Sequence, residues 1–354
     1  MEGKIVVLIP SLNPDEKLMD YVEGLLRVGM THILLVDDGS RQQCQWIFER
    51  LEQLPAVTVL HHGENRGKGR ALKTGFSWCL EQMPDCLGVV TADSDGQHRP
   101  QDTKKVVHSL LEHPESLILG TRDFNEEQVP FKSRYGNRIT SVVFALLYGS
   151  YLHDTQTGLR GVGRKWLQPL CQLSGERFEY EIRMLIFAAR KKIPMKEVRI
   201  ETIYINDNQE THFRPVRDSA GIYVVMFSSF LKYLFSSLSA SLIDMGLFAL
   251  LHLLVFRGMT LGRNVFLSTL VARAVSSFYN FLVNRQMVFQ AGGNFCKNLL
   301  SYYSLVLVQL GCSAGLVWLF TDWLHWPAVV VKALVDTGLF LISFQIQQRW
   351  VFRD

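Results

Sequence analysis

The chain changes character at about Phe230, and everything from there to Trp350 is dominated by apolar residues. Four apolar segments follow one another, at approximately Phe235–Phe256, Val265–Val283, Tyr302–Phe320 and Ala328–Ile346. Each is close to the ~20 residues a helix needs to cross ~30 Å of hydrocarbon. Arg257, Gly258, Gly262 and Arg263 interrupt the first pair, Asn284 to Asn298 the second, and Asp322 to Pro327 the third. Trp323, Trp326 and Trp350 stand where an aromatic belt at the membrane interface belongs. The competing reading is the buried helical bundle of a soluble protein, and four such segments in a row argue against it. The expectation is an all-α four-helix transmembrane domain over residues 228–354, after a soluble domain over 1–227.

Lysine and arginine placement sets the orientation. Arg214, Arg217 and Lys232 precede the first span, Arg285 and Lys297 lie in the second loop, and Arg349 and Arg353 follow the last span. The first loop has Arg257 and Arg263, and the third has neither residue type. The bias puts both termini and the soluble half in the cytoplasm, for a multi-pass protein of the cell inner membrane. Asp244, Arg273, Lys332 and Asp336 fall inside or near the ends of the spans. Intramembrane charge is expensive, so these four form either a site for a lipid phosphate or sugar, or structural ion pairs and snorkelling side chains. A short echo links Phe281 to Phe289 (FLVNRQMVF) with Phe344 to Phe352 (FQIQQRWVF), suggesting two related two-helix units.

At 354 residues the chain has room for about two domains. A net charge of +4 with no dense basic run excludes a nucleic-acid partner. The six cysteines show no metal-ligand spacing and fit reduced thiols facing a cytosol. No signal peptide is visible, because the N-terminus runs straight into a strand-like segment.

In the soluble half, Lys4–Ile9, His32–Val36, Val57–Leu60, Leu87–Thr91 and Ser116–Leu119 are short, nearly continuous apolar runs. That pattern suits strands covered on both faces, and segments of helical length separate them. The result is an α/β, Rossmann-like domain with a mostly parallel sheet, whose ligands bind beyond the carboxyl ends of the strands. The chemically distinctive residues sit at those ends: Pro10 to Asn13, Asp37-Asp38-Gly39-Ser40, Asp93 to Gln97, and Gly120-Thr121-Arg122. Asp93 and Asp95 offer carboxylates and Gln97 an amide oxygen, a donor set suited to Mg²⁺ or Mn²⁺ bridging a diphosphate. The same residues also make a good acidic turn. Asn65 to Arg70 brings two glycines, a lysine and two arginines to a helix start that could receive phosphate, without P-loop spacing.

Taken in order, Ile9 to Asn13, Val36 to Ser40, Asn65 to Gly69, Ala92 to His98, Gly120 to Arg122, Asp154 to Arg160 (DTQTGLR), Phe178 to Glu181 and His212 to Pro215 resemble glycosyltransferase family 2. The likeness is to the polyprenol-phosphate hexosyltransferases related to dolichol-phosphate mannose synthase, over about residues 4–220. The apolar half resembles the GtrA-like four-helix domain, notably at Asn280-Phe281, Asn284-Arg285 and Val288-Phe289. This resemblance implies a GT-A fold and a metal-dependent polyprenyl-phosphate glycosyltransferase of cell-envelope glycosylation. It implies that Asp37 and Asp38 lie at the nucleoside with Pro10 and Lys68, and that Asp93 lies near the donor. It also implies that Asp95 and Gln97 hold the metal, that Arg122 with Arg134 or Arg138 grips the acceptor phosphate, and that Arg214 reaches the donor diphosphate. Asp93, Asp95 and Arg122 are the expected catalytic residues. The chain departs from the family at Pro14-Asp15-Glu16, where Glu-Glu is usual.

The implied donor is a nucleotide sugar, UDP-glucose or GDP-mannose, and the acceptor a polyprenyl phosphate, with undecaprenyl phosphate preferred. A lipid monophosphate is anionic at pH 7 and needs no strong base, so positioning and charge neutralisation suffice. Single displacement with inversion is expected. Phe131 to Leu152, with Lys132, Arg134 and Arg138 ahead of an apolar run, is expected to lie on the membrane or to pack on the sheet as an ordinary helix. Four short helices form a small bundle, and association into a homo-oligomer is a further expectation. Two other functions compete. A processive polysaccharide synthase would carry QxxRW, but Ile346 stands where that glutamine belongs before Arg349-Trp350. A lipid-sugar binding or flipping protein would need an inactive soluble half, which intact Asp93, Asp95, Gln97 and Arg122 argue against.

Overall fold

A computed structural model describes residues 4–124, 131–201 and 215–352. The chain divides into two compact units, Met1–Met226 and Phe227–Asp354.

The first unit is built on a seven-stranded sheet of order β3-β2-β1-β4-β6-β5-β7. Its strands are β1 (Ile5–Ser11), β2 (Ile33–Asp37), β3 (Val57–His61), β4 (Gly88–Thr91), β5 (Leu117–Arg122), β6 (Arg160–Gly163) and β7 (Met195–Ile200). The first five fall where the apolar runs predict them. The last two were not anticipated: β6 reads RGVG and β7 reads MKEVRI, and neither has the apolar continuity of a central strand. β6 lies antiparallel to β4 and β5, and the remaining pairs are parallel. The parallel strands therefore deliver Ser11, Asp37, Thr91 and Arg122 to one edge. The reversed β6 begins at that same edge, with Arg160 opposite Thr91, so the loop feeding it arrives there too.

Helices cover the sheet. α1 (Glu16–Arg27) buries Leu18, Tyr21, Val22 and Leu25, one apolar stripe of helical period. Asp15 caps α1 by accepting a hydrogen bond from the Lys17 amide, a local use for the residue that departs from the family pattern. α2 (Gln45–Glu52) and α4 (Pro100–Glu112) add Ile47, Phe48, Leu51, Val106, Val107 and Leu110 to the core formed by β1, β2, β4 and β5. α3 (Lys68–Gln82), α5 (Phe131–Tyr148), α6 (Arg164–Cys171) and α7 (Glu179–Lys191) complete the unit.

The second unit is helical. α8 (Pro215–Leu250) contains the boundary between the units and continues as a π-turn over Leu251–Val255. α9 (Leu261–Val283) ends in a π-turn at Asn284–Val288, and α10 (Phe295–Leu324) is followed by α11 (Ala328–Ile346) with a π-turn at Gln347–Val351. Four stretches, Ala220–Val255, Leu261–Val288, Phe295–Trp323 and Ala328–Val351, are long and apolar enough to cross a membrane. α9 buries Asn264, Ser268, Ala272 and Ser276, a stripe of small and polar residues that lets helix backbones approach closely. Ser236 donates to Asn280 at 2.8 Å, Ser276 to Asp244 at 2.9 Å, and Asn264 to the His252 carbonyl at 3.0 Å, so α8 and α9 are laced together along their length. Phe281, Ala291, Tyr302, Val351 and Phe352 form the buried cluster of this unit.

Candidate active site

The sheet edge gathers a charge network centred on Asp93, just after β4. Lys68 Nζ, at the start of α3, lies 2.7 Å from Asp93 and 2.9 Å from Glu181 on α7. His98 Nε2 lies 3.5 Å from the second Asp93 oxygen. Burial alone would raise the Asp93 pKa, but Lys68 and His98 outweigh it and hold the carboxyl well below the usual carboxylate range. Burial would likewise lower Lys68, and Asp93 and Glu181 together hold its ammonium above the usual lysine range. Asp95 moves the other way, raised by burial and by the negative charge of Asp93.

The loop before β6 clamps this centre. Gly158 packs against Asp93 so closely that a Cβ there would overlap the carboxylate. Thr91 donates to the Gly158 carbonyl at 2.8 Å. Arg160, fully buried, donates to the carbonyls of Thr157 at 2.8 Å and Glu181 at 2.6 Å. Asp154, at the start of the same loop, takes the Arg122 guanidinium side-on, with Nε at 2.6 Å and Nη2 at 3.1 Å, while the Arg122 guanidinium carbon lies 5.0 Å from the Phe124 ring centre. One loop thus sets the position of both Asp93 and Arg122.

Asp37 and Asp38, after β2, are buried and engaged. Asp37 accepts from the Ser40 amide at 2.8 Å and Gln45 Nε2 at 3.1 Å, and lies 3.0 Å from His61. Asp38 accepts from the amides of Arg66 at 3.0 Å and Gly67 at 2.7 Å, and lies 2.7 Å from His62. Asp38 thus takes the amides just ahead of the first helical residue of α3, and the Glu176 carbonyl takes the Arg70 amide at 3.0 Å, so the chain holds part of this helix start itself. Gly67 is required there, since its φ is +102° and a Cβ would collide with the Glu176 carbonyl. Pro10 is buried on β1 at the Asp37 edge.

Arg134 and Arg138 sit one turn apart on α5, half-buried and exposed respectively. The same helix exposes Tyr135, Ile139, Val142 and Leu146, an apolar stripe at i, i+4, i+7, i+11, with Ile139 at 54% and Leu146 at 67% exposure. Asn137, Thr140, Ser141 and Phe144 are buried on the opposite side. Arg214 and its loop, 202–214, lie outside the described residues.

Sequence reasoning missed Gly158, Arg160, Glu181 and His98 as parts of this centre. Arg160 carried the clearest signal, because it ends the DTQTGLR run, although nothing local shows that it is buried among backbone carbonyls.

Residues 6–169 match the family described as glycosyl transferase family 2, and residues 232–352 match the GtrA/DPMS transmembrane domain. Over 217 residues the chain is 31% identical to the UDP-N-acetylglucosamine–dolichyl-phosphate N-acetylglucosaminyltransferase of Methanococcus voltae, covering 56% of this chain and 86% of that protein. The chain belongs to glycosyltransferase family 2. It is also 32% identical over 207 residues to an uncharacterized protein of Methanocaldococcus jannaschii, covering 57% and 83% of the two chains. It is 33% identical over 122 residues to the undecaprenyl-phosphate mannosyltransferase of Micrococcus luteus, covering 34% and 48%. Among solved structures, glucosyl-3-phosphoglycerate synthase of Mycobacterium tuberculosis aligns with a TM-score of 0.49 at 17% identity, covering 63% of this chain and 78% of that one. The family-2 transferase unit is a mostly parallel α/β sheet of the GT-A class. It is joined to an all-helical membrane domain, making this a membrane glycosyltransferase.

The residues at the edge suit a divalent cation of limited protein coordination. Among the described residues no group of three or more His, Cys, Asp or Glu is placed to hold a metal. Asp93 and Asp95 instead stand close enough for each charge to disfavour the other, and Asp95 accepts from the Gln97 amide at 3.0 Å. A hard cation completing its shell with phosphate and water fits that donor set and relieves the repulsion.

Proposed function

We propose that this protein transfers a hexose from a nucleotide-diphosphate sugar to a polyprenyl phosphate, with undecaprenyl phosphate the preferred acceptor and UDP-glucose or GDP-mannose the preferred donors. The observation that supports this reading is the loop before β6, which packs Gly158 against Asp93 and pairs Asp154 with Arg122 at one sheet edge, in a chain that also has four helices long and apolar enough to cross a membrane. The names of the Methanococcus voltae and Micrococcus luteus relatives, both transferases to a polyprenyl phosphate, support the acceptor class.

Asp95 and Gln97, with Asp93 beside them, would hold Mg²⁺ or Mn²⁺, which when bound neutralises the diphosphate charge. Lys68 fixes Asp93 toward the donor and remains a cation there. The nucleoside end falls to the Pro10–Asp37–Asp38 side of the edge, and Arg214 to the donor diphosphate. Arg122, with its plane set by Asp154, and Arg134 and Arg138 on α5 receive the acceptor phosphate, a partner that suits the planar guanidinium. A phosphate oxygen attacks the anomeric carbon opposite the diphosphate. The bond from that carbon to the diphosphate oxygen breaks, and the nucleoside diphosphate leaves with the electron pair. The linkage inverts, giving a β-linked product from an α-linked donor. No side chain need remove a proton, because the acceptor is already an anion. The α5 stripe lies in the cytoplasmic surface of the inner membrane, where Arg138 meets lipid phosphate.

The test compares undecaprenyl phosphate with undecaprenol as acceptors for the full chain in vesicles. Transfer to the phosphate alone supports the reading. Equal transfer to both would mean that a base activates a hydroxyl, and the mechanism would be wrong.

A further inference from the structure

The membrane unit contains a two-fold axis that its contacts make visible. Residues 281–289 and 344–352 repeat with an offset of 63. Phe281 meets Phe352 at 5.8 Å and 35°, and the exchanged pair, Phe289 and Phe344, meets at 5.8 Å and 37°. Equivalent residues also meet each other. Asn284 Nδ2 donates to Gln347 Oε1 at 3.0 Å, and Phe289 stacks on Phe352 at 5.2 Å. Exchanged contacts of equal geometry together with self-equivalent contacts define a local dyad. Each repeat is a helical hairpin that enters and leaves on one side, so the axis runs along the membrane normal and equivalent residues share a depth.

Arg273 and Asp336 have the same 63-residue offset, and each precedes its π-turn by eleven residues. The dyad therefore relates a cation to an anion at one depth, on opposite faces of the unit. Each is tied within its own hairpin. Arg273 lies 3.4 Å from Asp244, which accepts from Ser276, and Asp336 lies 2.9 Å from Lys332 and accepts from Ser313 at 2.6 Å. Yet the side chains of Arg273 and Asp336 are 72% and 46% exposed. Lys332 is near the start of α11 and can extend toward the interface. Arg273 is twelve residues into α9, ~18 Å of helical rise, with no such route. Exposed ions at that depth need a polar cover. An anionic lipid would suit Arg273 and repel Asp336, whereas a second copy of this chain satisfies both.

We propose that membrane units of separate copies pack side by side, with Arg273 of one copy against Asp336 of the next. The contact is heterologous, so it propagates from copy to copy and closes into a ring where the rotation allows. α10, which packs on α11, leaves room for a neighbouring helix. None of its most apolar stretch is buried, and nothing stands within 4 Å of where side chains would begin at Gly311 and Gly315.

The experiment uses full-length chains carrying donor or acceptor dyes in vesicles, with energy transfer followed as lipid dilutes the protein. Wild type should stay associated, and Arg273→Gln and Asp336→Asn should each associate about tenfold more weakly. Mixing the two variants should restore pairing, because the Asp336 kept by one meets the Arg273 kept by the other. Damage confined within a hairpin would not be repaired by mixing. Wild type present as single copies, variants that associate as wild type does, or a mixture no better than its components would each overturn the proposal.

Discussion

At the scale of the residue, the site depends on small and buried groups more than on the conspicuous acids. Gly158→Ala forces a methyl group into the Asp93 carboxylate. A displacement of that kind should lower kcat about a hundredfold while the fold survives, as steady-state kinetics beside a thermal melt would show. Lys68→Met leaves Asp93 and Glu181 facing each other without their shared cation. Denaturant unfolding should show a loss of about 3 kcal/mol. Asp37 titrates below the usual carboxylate range because, although burial pushes it up, hydrogen bonds from Ser40 and Gln45 outweigh that effect. Its folded pKa lies below the unfolded value of ~3.9, so its stabilisation is complete above that value and disappears as pH falls toward the folded pKa. Asp37→Asn should therefore melt lower at pH 7 and lose less on acidification between pH 5 and 3, and parallel melting curves would contradict this. These roles were partly legible. Asp93 and Asp95 announce themselves as acids after an apolar strand, but the Gly158 contact joins residues far apart in sequence and has no local signal.

At the scale of the element, α5 and β6 matter most. The basic, apolar pattern of Phe131 to Leu152 predicted an amphipathic helix, and α5 does leave Tyr135, Ile139, Val142 and Leu146 outward. If that stripe enters the membrane surface, Ile139→Glu should raise KM for the lipid acceptor about tenfold and leave the donor KM unchanged. An equal effect on both would instead mark a packing defect. β6 was invisible beforehand, because four residues with two glycines carry no period. Its direction nonetheless organises the edge, since only a reversed strand brings the Asp154–Leu159 loop to the ends of β4 and β5. The strands that could be read were those whose burial on both faces writes a continuous apolar run. The π-turns of the membrane unit were foreshadowed only as a sequence echo.

At the scale of the whole molecule, the contrast between an α/β unit and a unit of long apolar helices was the plainest statement in the sequence, because hydrocarbon imposes long uniform segments. The choice of sugar is not written that way. It depends on a few individual side chains rather than on a repeated pattern. The central claim is metal-assisted sugar transfer to a lipid phosphate. Its most direct test is transfer of labelled sugar to undecaprenyl phosphate by the full chain in membranes, from a panel of nucleotide sugars, with Mg²⁺, Mn²⁺ or chelator, for wild type and Asp95→Ala. The account predicts transfer from one donor, abolished by chelator and by Asp95→Ala. Folded wild type that transfers no sugar from any donor, or a variant as active as wild type in the presence of chelator, would contradict it.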